Sequence, residues 1–262
     1  MPGKLALIVP CYNEEKRLPL DQYARFLEAY PESRLCFVDD GSHDGTRRVL
    51  EAFCARFPSR AETLALPRNA GKAGAVRAGM LRTLEAAPEV AWLGFWDADL
   101  ATPLAESQRF LDVLKKYGRI RCVVGSRWPH LGARIERTVT RHVIGRCVSF
   151  VIRRYLRFPI FDTQCGAKIF HRDEAAHCFA EPFISRWLFD VELFKRMILH
   201  HSREYPAEHI YEMPLVEWRD VAGSKLKFYH GVKIFWDLLR IALFYRRPSS
   251  RKTFRKKNAG AA

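Results

Sequence analysis

The residues best suited to chemistry in this sequence are two carboxylates separated by one small residue, Asp97-Ala98-Asp99. They directly follow the apolar run Val90–Trp96, which is typical of a buried strand. Mg²⁺ and Mn²⁺ prefer oxygen ligands, commonly one or two carboxylates together with phosphate oxygens. Asp-x-Asp also occurs on ordinary loops, but its position at the end of an apolar run favours a metal site. We therefore predict that Asp97 and Asp99 hold Mg²⁺ or Mn²⁺ beside a diphosphate.

A second acidic cluster begins with the adjacent carboxylates Asp39 and Asp40 and continues through a Gly-Ser and an Asp-Gly-Thr sequence. A turn at Gly45 and a helix cap from Asp44 or Thr46 explain the later part of this cluster. They leave the two adjacent carboxylates unexplained. One of these carboxylates could accept a hydrogen bond from a nucleoside base or ribose.

A third cluster has the spacing Asn69-x-Gly71-Lys72-x-Gly74, which resembles a phosphate cradle at the start of a helix. The complete P-loop pattern is absent from it. Lys72 therefore has two equally supported interpretations, a phosphate ligand and a solvated lysine at a helix start.

Apolar runs alternate with helical patterns along the first half of the sequence, which predicts a mostly parallel sheet with helices on both faces. The predicted strands are 5–9, 34–38, 63–66, 90–96 and 121–124. Ligands of such sheets bind beyond the carboxyl ends of the strands. We expect four polar clusters to meet at that edge: 12–14, 39–40, 69–72 and 97–99.

The net charge of +15 is concentrated in two segments. Residues 119–157 contain ten arginines and one acid, and residues 219–257 contain twelve lysines and arginines and two acids. Such a local excess predicts a face that meets an anionic partner, which could be a membrane, a nucleic acid or a phosphate. Apolar residues at helical spacing run through both segments, which favours helices lying on a membrane surface.

We predict one α/β domain over 1–247, with amphipathic membrane-surface helices at about 130–158 and 228–246, and a disordered basic tail over 248–262. The seven cysteines include no Cys-x-x-Cys pair, which favours a reducing cytoplasm over disulfides or a zinc site. No apolar run approaches the ~18–20 residues needed to span a bilayer. We therefore expect a peripheral protein on the cytoplasmic face of a membrane.

The order of these motifs resembles the family 2 glycosyltransferases, which have the GT-A (Rossmann-like) fold. The resemblance covers residues 4–245 and includes the Pro-Cys-Tyr-Asn-Glu sequence at 10–14. Three later segments of this chain resemble dolichyl-phosphate glucose and mannose synthases, and most of all the glucose branch. These segments are 162–168, 186–192 and 216–226. The resemblance implies transfer of a hexose, glucose from UDP-glucose, onto a dolichyl, undecaprenyl or other polyprenyl phosphate. We expect the transfer to depend on a metal and to invert the anomeric carbon.

By this resemblance, Pro10, Tyr12, Glu14 and Asp40 hold the nucleotide, and Asp97 and Asp99 take the metal and diphosphate. Together with the residues argued above, the predicted nucleotide-sugar site consists of Pro10, Tyr12, Glu14, Asp39, Asp40, Lys72, Asp97, Ala98 and Gln164.

The predicted catalytic residues are Asp99, Asp190 and Lys225, and the predicted ligands of the acceptor phosphate are Arg127, Arg141 and Lys225. Arginine suits bidentate phosphate contacts. Related enzymes that act on hydroxyls keep a base where Asp190 lies, so three roles stay open for it: a base, a sugar-hydroxyl contact and a helix cap. A phosphate acceptor is largely ionised at neutral pH, with a second pKa of about 6. We therefore expect catalysis to rest on positioning and charge neutralisation.

Three alternatives share part of these features. The same fold could use GDP-mannose or a hydroxyl acceptor. A nucleotidyltransferase would typically have a Gly-rich phosphate loop where this chain has 10–14. A basic nucleic-acid-binding protein is disfavoured because the sequence contains no recognised nucleic-acid motif. We expect no nucleic-acid partner, and the sequence identifies no protein partner.

Overall fold

The computed structural model describes residues 4–128, 130–136, 139–219 and 230–255. The first half contains β1 (Lys4–Cys11), α1 (Leu20–Ala29), β2 (Ser33–Asp39), α2 (Thr46–Ala55), β3 (Ala61–Ala65), α3 (Gly71–Ala86), β4 (Val90–Trp96), α4 (Glu106–Lys116) and β5 (Cys122–Ser126). The second half contains β6 (Arg134–Glu136), α5 (Val139–Leu156), β7 (Ala167–His171), α6 (Arg172–Phe179), α7 (Phe189–His200), α8 (Tyr205–His209), β8 (Ile210–Pro214), β9 (Glu217–Arg219), α9 (His230–Arg246) and α10 (Pro248–Arg255).

A seven-stranded sheet with the order β3-β2-β1-β4-β7-β5-β8 forms the centre of the fold. Strands β1 to β4 run parallel to one another, and β5 runs parallel to β8. Strand β7 is antiparallel to both of its neighbours, β4 and β5. The carboxyl ends of β1, β2 and β4 therefore lie side by side, which brings the polar clusters that follow them to one edge. The predicted mostly parallel sheet is confirmed.

Both faces of this sheet are covered, as the side chains of β1 show. Ala6 and Ile8 enter one hydrophobic cluster together with residues of α3, α6 and α7. Leu5, Leu7 and Val9 enter a second cluster together with residues of α1, α2 and α4. Successive side chains of a strand point to opposite faces, so a strand buried on both faces has a continuous apolar sequence. The prediction of helices on both faces is confirmed.

The segment predicted as amphipathic helix over 130–158 contains a strand as well as a helix. Strand β6 pairs in parallel with β9, and α5 begins only at Val139. The correction has a physical reason, because β6 is fixed by backbone pairing with a segment far along the chain. Helical periodicity within the segment carries no information about that pairing.

The basic tail predicted to be disordered begins instead with helix α10. Phe254 is only 8% exposed, and its ring lies 5.5 Å from that of Tyr245 on α9. Burial of the Phe254 ring in the core thus favours an ordered helix in a segment whose composition is otherwise polar and basic. The rest of the predicted tail, residues 256–262, lies outside the described part of the chain. The other helix predicted on the membrane surface, at 228–246, corresponds to α9 over most of its length.

Replacing Phe254 with alanine should lower the free energy of unfolding by about 2–3 kcal/mol, because it leaves a cavity between α10 and α9. Urea unfolding of both proteins measures this difference. The matched control is Phe150→Ala on α5, where the side chain is 70% exposed, and where we expect a change within about 0.5 kcal/mol. Equal effects of the two substitutions would contradict the docking of α10.

Candidate active site

The loop that follows β4 carries Ala98 between the two carboxylates and is held by hydrogen bonds. Tyr23, buried on α1, donates its hydroxyl proton to the Ala98 carbonyl at 3.1 Å. Asp99 Oδ1 accepts the N–H of Ala101 at 3.1 Å. Leu100 adopts a φ of 50°, which residues other than glycine adopt rarely. The turn leaves both carboxylates half-buried at the edge of the sheet.

Lys72, the second residue of α3, forms an ion pair with the first of these carboxylates. Its Nζ lies 2.5 Å from Asp97 Oδ1, and its side chain is 21% exposed. Burial alone would lower the pKa of Lys72, but Asp97, Asp190 and Asp99 outweigh burial and raise this pKa. Burial and the neighbouring Asp97 raise the pKa of Asp99. This geometry disfavours the solvated interpretation of Lys72, and its contact with a phosphate stays a prediction.

The two carboxylates supply oxygen atoms, the ligand type that Mg²⁺ and Mn²⁺ take. Within the described residues, no group of three His, Cys, Asp or Glu side chains is arranged to hold a metal ion by itself. A cation held by Asp97 and Asp99 would take its other ligands from water and from substrate phosphates, as is usual for Mg²⁺. The residues present therefore fit the predicted cation in combination with a diphosphate.

The loops that follow β1 and β2 are joined by hydrogen bonds. Asn13, at a φ of 55°, donates its N–H to Ser42 Oγ at 3.0 Å and accepts the N–H of His43 at 2.9 Å. Glu14 donates its N–H to Thr46 Oγ1 at 2.8 Å. These bonds bring together five residues predicted to bind the nucleotide: Pro10, Tyr12, Glu14, Asp39 and Asp40.

The carboxylates of Asp39 and Asp40 are buried and hold the backbone of neighbouring loops. Asp39 Oδ1 accepts the N–H of Ser42 at 3.1 Å. Asp40 accepts the N–H of Ala70 at 2.6 Å and that of Gly71 at 2.9 Å. Burial raises the pKa of Asp40, and these two hydrogen bonds oppose the rise. The predicted contact of Asp39 and Asp40 with a base or ribose stays a prediction. The contacts that the structure shows are the hydrogen bonds by which these carboxylates hold the neighbouring loops.

The loop 162–166 contacts Asp97 because β7, which follows that loop, runs antiparallel beside β4. A Cβ atom on Gly166 would lie 1.9 Å from Asp97 Oδ2, so the Asp97 carboxylate could keep this position only beside a glycine. Gln164 lies in the same loop, where its backbone N–H donates to Asp162 Oδ1 at 3.2 Å. The contact predicted between Gln164 and the donor stays a prediction.

Arg127 is engaged by a carboxylate in this structure. It donates from Nε and Nη2 to the two carboxylate oxygens of Asp162, at 2.7 and 2.8 Å, and its backbone N–H donates to the same group at 3.0 Å. Burial opposes a charged Arg127, but Asp162 outweighs burial and raises the pKa of the guanidinium. The Arg127 guanidinium, predicted to bind the acceptor phosphate, thus binds the Asp162 carboxylate in this structure. Sequence reasoning did not foresee this partner, 35 residues away.

Asp190, in the first turn of α7, is 4% exposed and forms an ion pair with a fully buried lysine. Its Oδ1 lies 2.6 Å from Lys168 Nζ, which also donates to the Cys165 carbonyl at 2.6 Å. Burial raises the pKa of Asp190, while Lys168 and Lys72 oppose the rise. Asp190 is the second residue of α7, whose N-cap is Leu188, so the contact that the structure shows is an ion pair and not a helix cap. The roles of base and of sugar-hydroxyl contact stay predictions. Sequence reasoning missed Lys168, whose signal is a lysine within an apolar strand.

Two of the predicted acceptor residues have side chains outside the described part of the structure. Lys225 lies in the segment 220–229, outside the described residues, and Arg141 lies on α5 with its side chain outside the description. Their predicted contact with the acceptor phosphate stays a prediction.

Replacing Gly166 with alanine should displace the Asp97 carboxylate and weaken the binding of Mn²⁺ and uridine diphosphate about tenfold or more. The free energy of unfolding should change by less than about 1 kcal/mol, because the clash involves the end of a flexible side chain. Calorimetric titration and urea unfolding measure the two quantities. Gly118→Ala is the control, since a Cβ there meets nothing within 4 Å. Unchanged binding by the Gly166 variant would contradict the place given to Asp97.

Comparison with known proteins agrees with this geometry. The family model described as glycosyl transferase family 2 matches residues 6–179. A dolichyl-phosphate beta-glucosyltransferase of Trichomonas vaginalis is 34% identical over 254 residues, which cover 92% of this chain and 74% of that protein. The dolichyl-phosphate beta-glucosyltransferase of Mus musculus is 32% identical over 257 residues, covering 92% of this chain and 76% of that protein.

The fold also matches solved structures. Glucosyl-3-phosphoglycerate synthase from Mycobacterium tuberculosis, in complex with Mn²⁺, UDP-glucose and phosphoglyceric acid, superposes with a TM-score of 0.61 at 17% identity. The superposition covers 92% of this chain and 80% of the other. At this identity the likeness shows the fold alone. With the family match and the close relatives, these findings show that the chain belongs to glycosyl transferase family 2 and is a glycosyltransferase with the GT-A fold predicted from its motifs.

Proposed function

We propose that this chain transfers glucose from UDP-glucose onto a polyprenyl phosphate at the cytoplasmic face of a membrane, with inversion and with the help of a divalent cation. The proposal is carried by the acidic pair Asp97 and Asp99 at the carboxyl end of β4, with Lys72 at its side. The sugar and the acceptor are supported by the names of relatives that share about a third of their residues with this chain. The cation and donor are supported by the fold neighbour bound to Mn²⁺ and UDP-glucose.

The carboxyl edge of the sheet, where Asp97, Asp99 and Lys72 lie, is suited to assist the departure of the nucleoside diphosphate. A cation held by Asp97 and Asp99 would supply positive charge to the leaving diphosphate. Lys72 adds a second positive charge, and the hydrogen bonds of Asp40 fix the residues just before it. Charges already in place before the reaction stabilise developing charge without reorganisation.

The acceptor phosphate brings its own nucleophile. In the proposed transfer, a phosphate oxygen forms a bond to the anomeric carbon while the bond from that carbon to the diphosphate breaks. The bonding electrons leave with the nucleoside diphosphate, and the anomeric configuration inverts. Because the acceptor oxygen is already ionised at neutral pH, no protein group has to remove a proton from it. The buried pairing of Asp190 with Lys168 supports a positioning role in such a reaction.

The outer side of α9 exposes large apolar side chains that suit a membrane surface. Phe235, Trp236 and Leu243 are each more than half exposed, whereas Leu238 and Ile241 on the same helix are buried. A helix that has apolar residues on two opposite sides usually has both sides buried, whereas α9 leaves one side exposed. Exposed aromatic and aliphatic side chains beside basic residues are typical of helices that lie in the membrane interface.

Helix α5 also carries exposed apolar side chains. It packs against α9 and exposes Phe150 and Val151, and Leu131 before it is fully exposed. Arg153 lies over the exposed ring of Phe161, at 4.4 Å from its centre. None of the helices in the described ranges is both long and apolar enough to cross a bilayer. The exposed apolar side chains of α5 and α9 support attachment at a membrane surface.

The state of the cysteines supports the cytoplasmic assignment. Six cysteines whose side chains are described are free and buried, among them Cys11 at the end of β1 and Cys165 beside Gly166. Free thiols persist in a reducing compartment.

The direct test supplies labelled UDP-glucose or GDP-mannose with polyprenyl phosphate in vesicles and follows the label into the lipid phase. We expect glucose transfer that requires Mg²⁺ or Mn²⁺. Asp99→Asn should reduce it by at least about a hundredfold, because the cation loses a ligand. Asp112→Asn, an exposed carboxylate on α4, is the control and should keep full activity. Label from GDP-mannose alone would overturn the donor assignment, and the absence of label from the lipid phase would contradict the acceptor assignment.

Replacing both Phe235 and Trp236 with serine should abolish co-flotation of the protein with vesicles that contain anionic lipid, because it removes apolar area from the membrane-facing side of α9. Tyr117→Ser is the control, an exposed aromatic side chain beyond the end of α4. Undiminished flotation of the double variant would contradict the interfacial role of α9.

A further inference from the structure

Arg186, in the segment between α6 and α7, uses its guanidinium to hold the loop just before Lys72. Its Nε donates to the Ala70 carbonyl at 3.1 Å, and its Nη2 donates to the Asn69 carbonyl at 2.8 Å and to Asn69 Oδ1 at 2.5 Å. Its own carbonyl accepts the N–H of Ala73 at 3.1 Å. Arg186 is nevertheless an exposed residue. Exposed arginines are mostly solvated, so three hydrogen bonds to this loop and one to the first turn of α3 are unusual.

The same loop is held from its opposite side by Asp40. The carboxylate of Asp40 accepts the N–H groups of Ala70 and Gly71, and its carbonyl accepts from Asn69 Nδ2 at 3.2 Å. Gly71 has a φ of 79°, and a Cβ there would lie 2.7 Å from Arg186 Nε. The carbonyls of the loop thus face Arg186 while its amides face Asp40. A backbone held in this way has little freedom to change its path.

Arg186 connects two parts of the site that lie far apart in the sequence. On one side, the loop that it holds leads directly to Lys72, whose Nζ contacts Asp97. On the other side, Arg186 lies just before Asp190 in the first turn of α7. Its own segment is rigid, because Glu192 accepts the N–H groups of Ile184 and Ser185. One side chain therefore fixes where Lys72 stands relative to Asp190.

We propose that Arg186 is a positioning residue that locks the Lys72 loop to the start of α7, and that it strengthens the binding of a nucleoside diphosphate by fixing Lys72. This proposal rests on the proposed function, because it takes the diphosphate of the donor as the ligand beside Lys72. Arg186 acts through Lys72 and need not touch the ligand. Its contribution should therefore disappear when the Lys72 ammonium is absent.

A double-mutant cycle tests this dependence. Calorimetry would measure the affinity for UDP in the presence of Mn²⁺ for the unmodified protein, for R186Q, for K72M and for R186Q/K72M. We expect R186Q to weaken UDP binding about tenfold, since several hydrogen bonds of a charged group are lost. In the K72M background, R186Q should weaken binding by less than about twofold further. R82Q, which removes an exposed arginine paired with Glu62 on the same helix as Lys72, is the control and should bind as the unmodified protein does.

The outcomes separate this inference from the function on which it rests. If the unmodified protein does not bind UDP with Mn²⁺, the proposed function fails. If it binds UDP and R186Q binds equally well, the positioning role of Arg186 is refuted. An equal loss from R186Q in both backgrounds would also refute it, because Arg186 would then act independently of Lys72. Thermal unfolding shows whether R186Q fails to fold. In that case N69A replaces R186Q in the cycle, because it removes one of the contacts of Arg186. The same results are expected for it.

Discussion

The balance of charge at the carboxyl edge of the sheet is the constraint on which the rest of the site depends. Asp97, Asp99 and Asp190 converge there, and burial raises the pKa of both Asp99 and Asp190. Removing carboxylates from water costs several kcal/mol for each ion unless a partner compensates. Lys72 pairs with Asp97 and Lys168 pairs with Asp190, each at hydrogen-bonding distance. Two of the three carboxylates are therefore compensated by lysines of the protein itself.

The antiparallel strand β7 allows the second half of the chain to take part in this balance. Strand β7 brings Lys168 beneath the site, and the loop before it brings Gly166 against Asp97. The ion pair between Arg127 and Asp162 fixes that loop to the end of β5. A wholly parallel sheet would place the preceding loop at the opposite edge, away from the acidic pair. One reversed strand thus joins the side of the fold that carries Asp39 and Asp40 to the part that carries Asp190.

The same packing layer connects the site to the apolar surface. Helix α7 carries Asp190 at its start, and it packs against α5 and α10. Helix α9 packs against α5 and α10, buries Ile241 and Tyr245 and leaves Phe235 and Trp236 exposed. An attachment of this surface to a membrane would place the lipid interface on helices that share a core with the site. The proposed acceptor has its reactive group at such an interface.

The sequence by itself determined the first five strands of the sheet, the helices that cover them, the acidic pair and the family, but not β7 and β8. Strands buried on both faces have continuous apolar sequences, and the polar clusters that follow them mark the edge where ligands bind. Tertiary structure alone decided that Arg127 grips Asp162, that Lys168 neutralises Asp190 and that Arg186 holds the loop before Lys72. It also decided that β6 is a strand and that α10 is ordered by Phe254. Periodicity and composition are local properties, whereas each of these contacts joins segments that only the folded chain brings together.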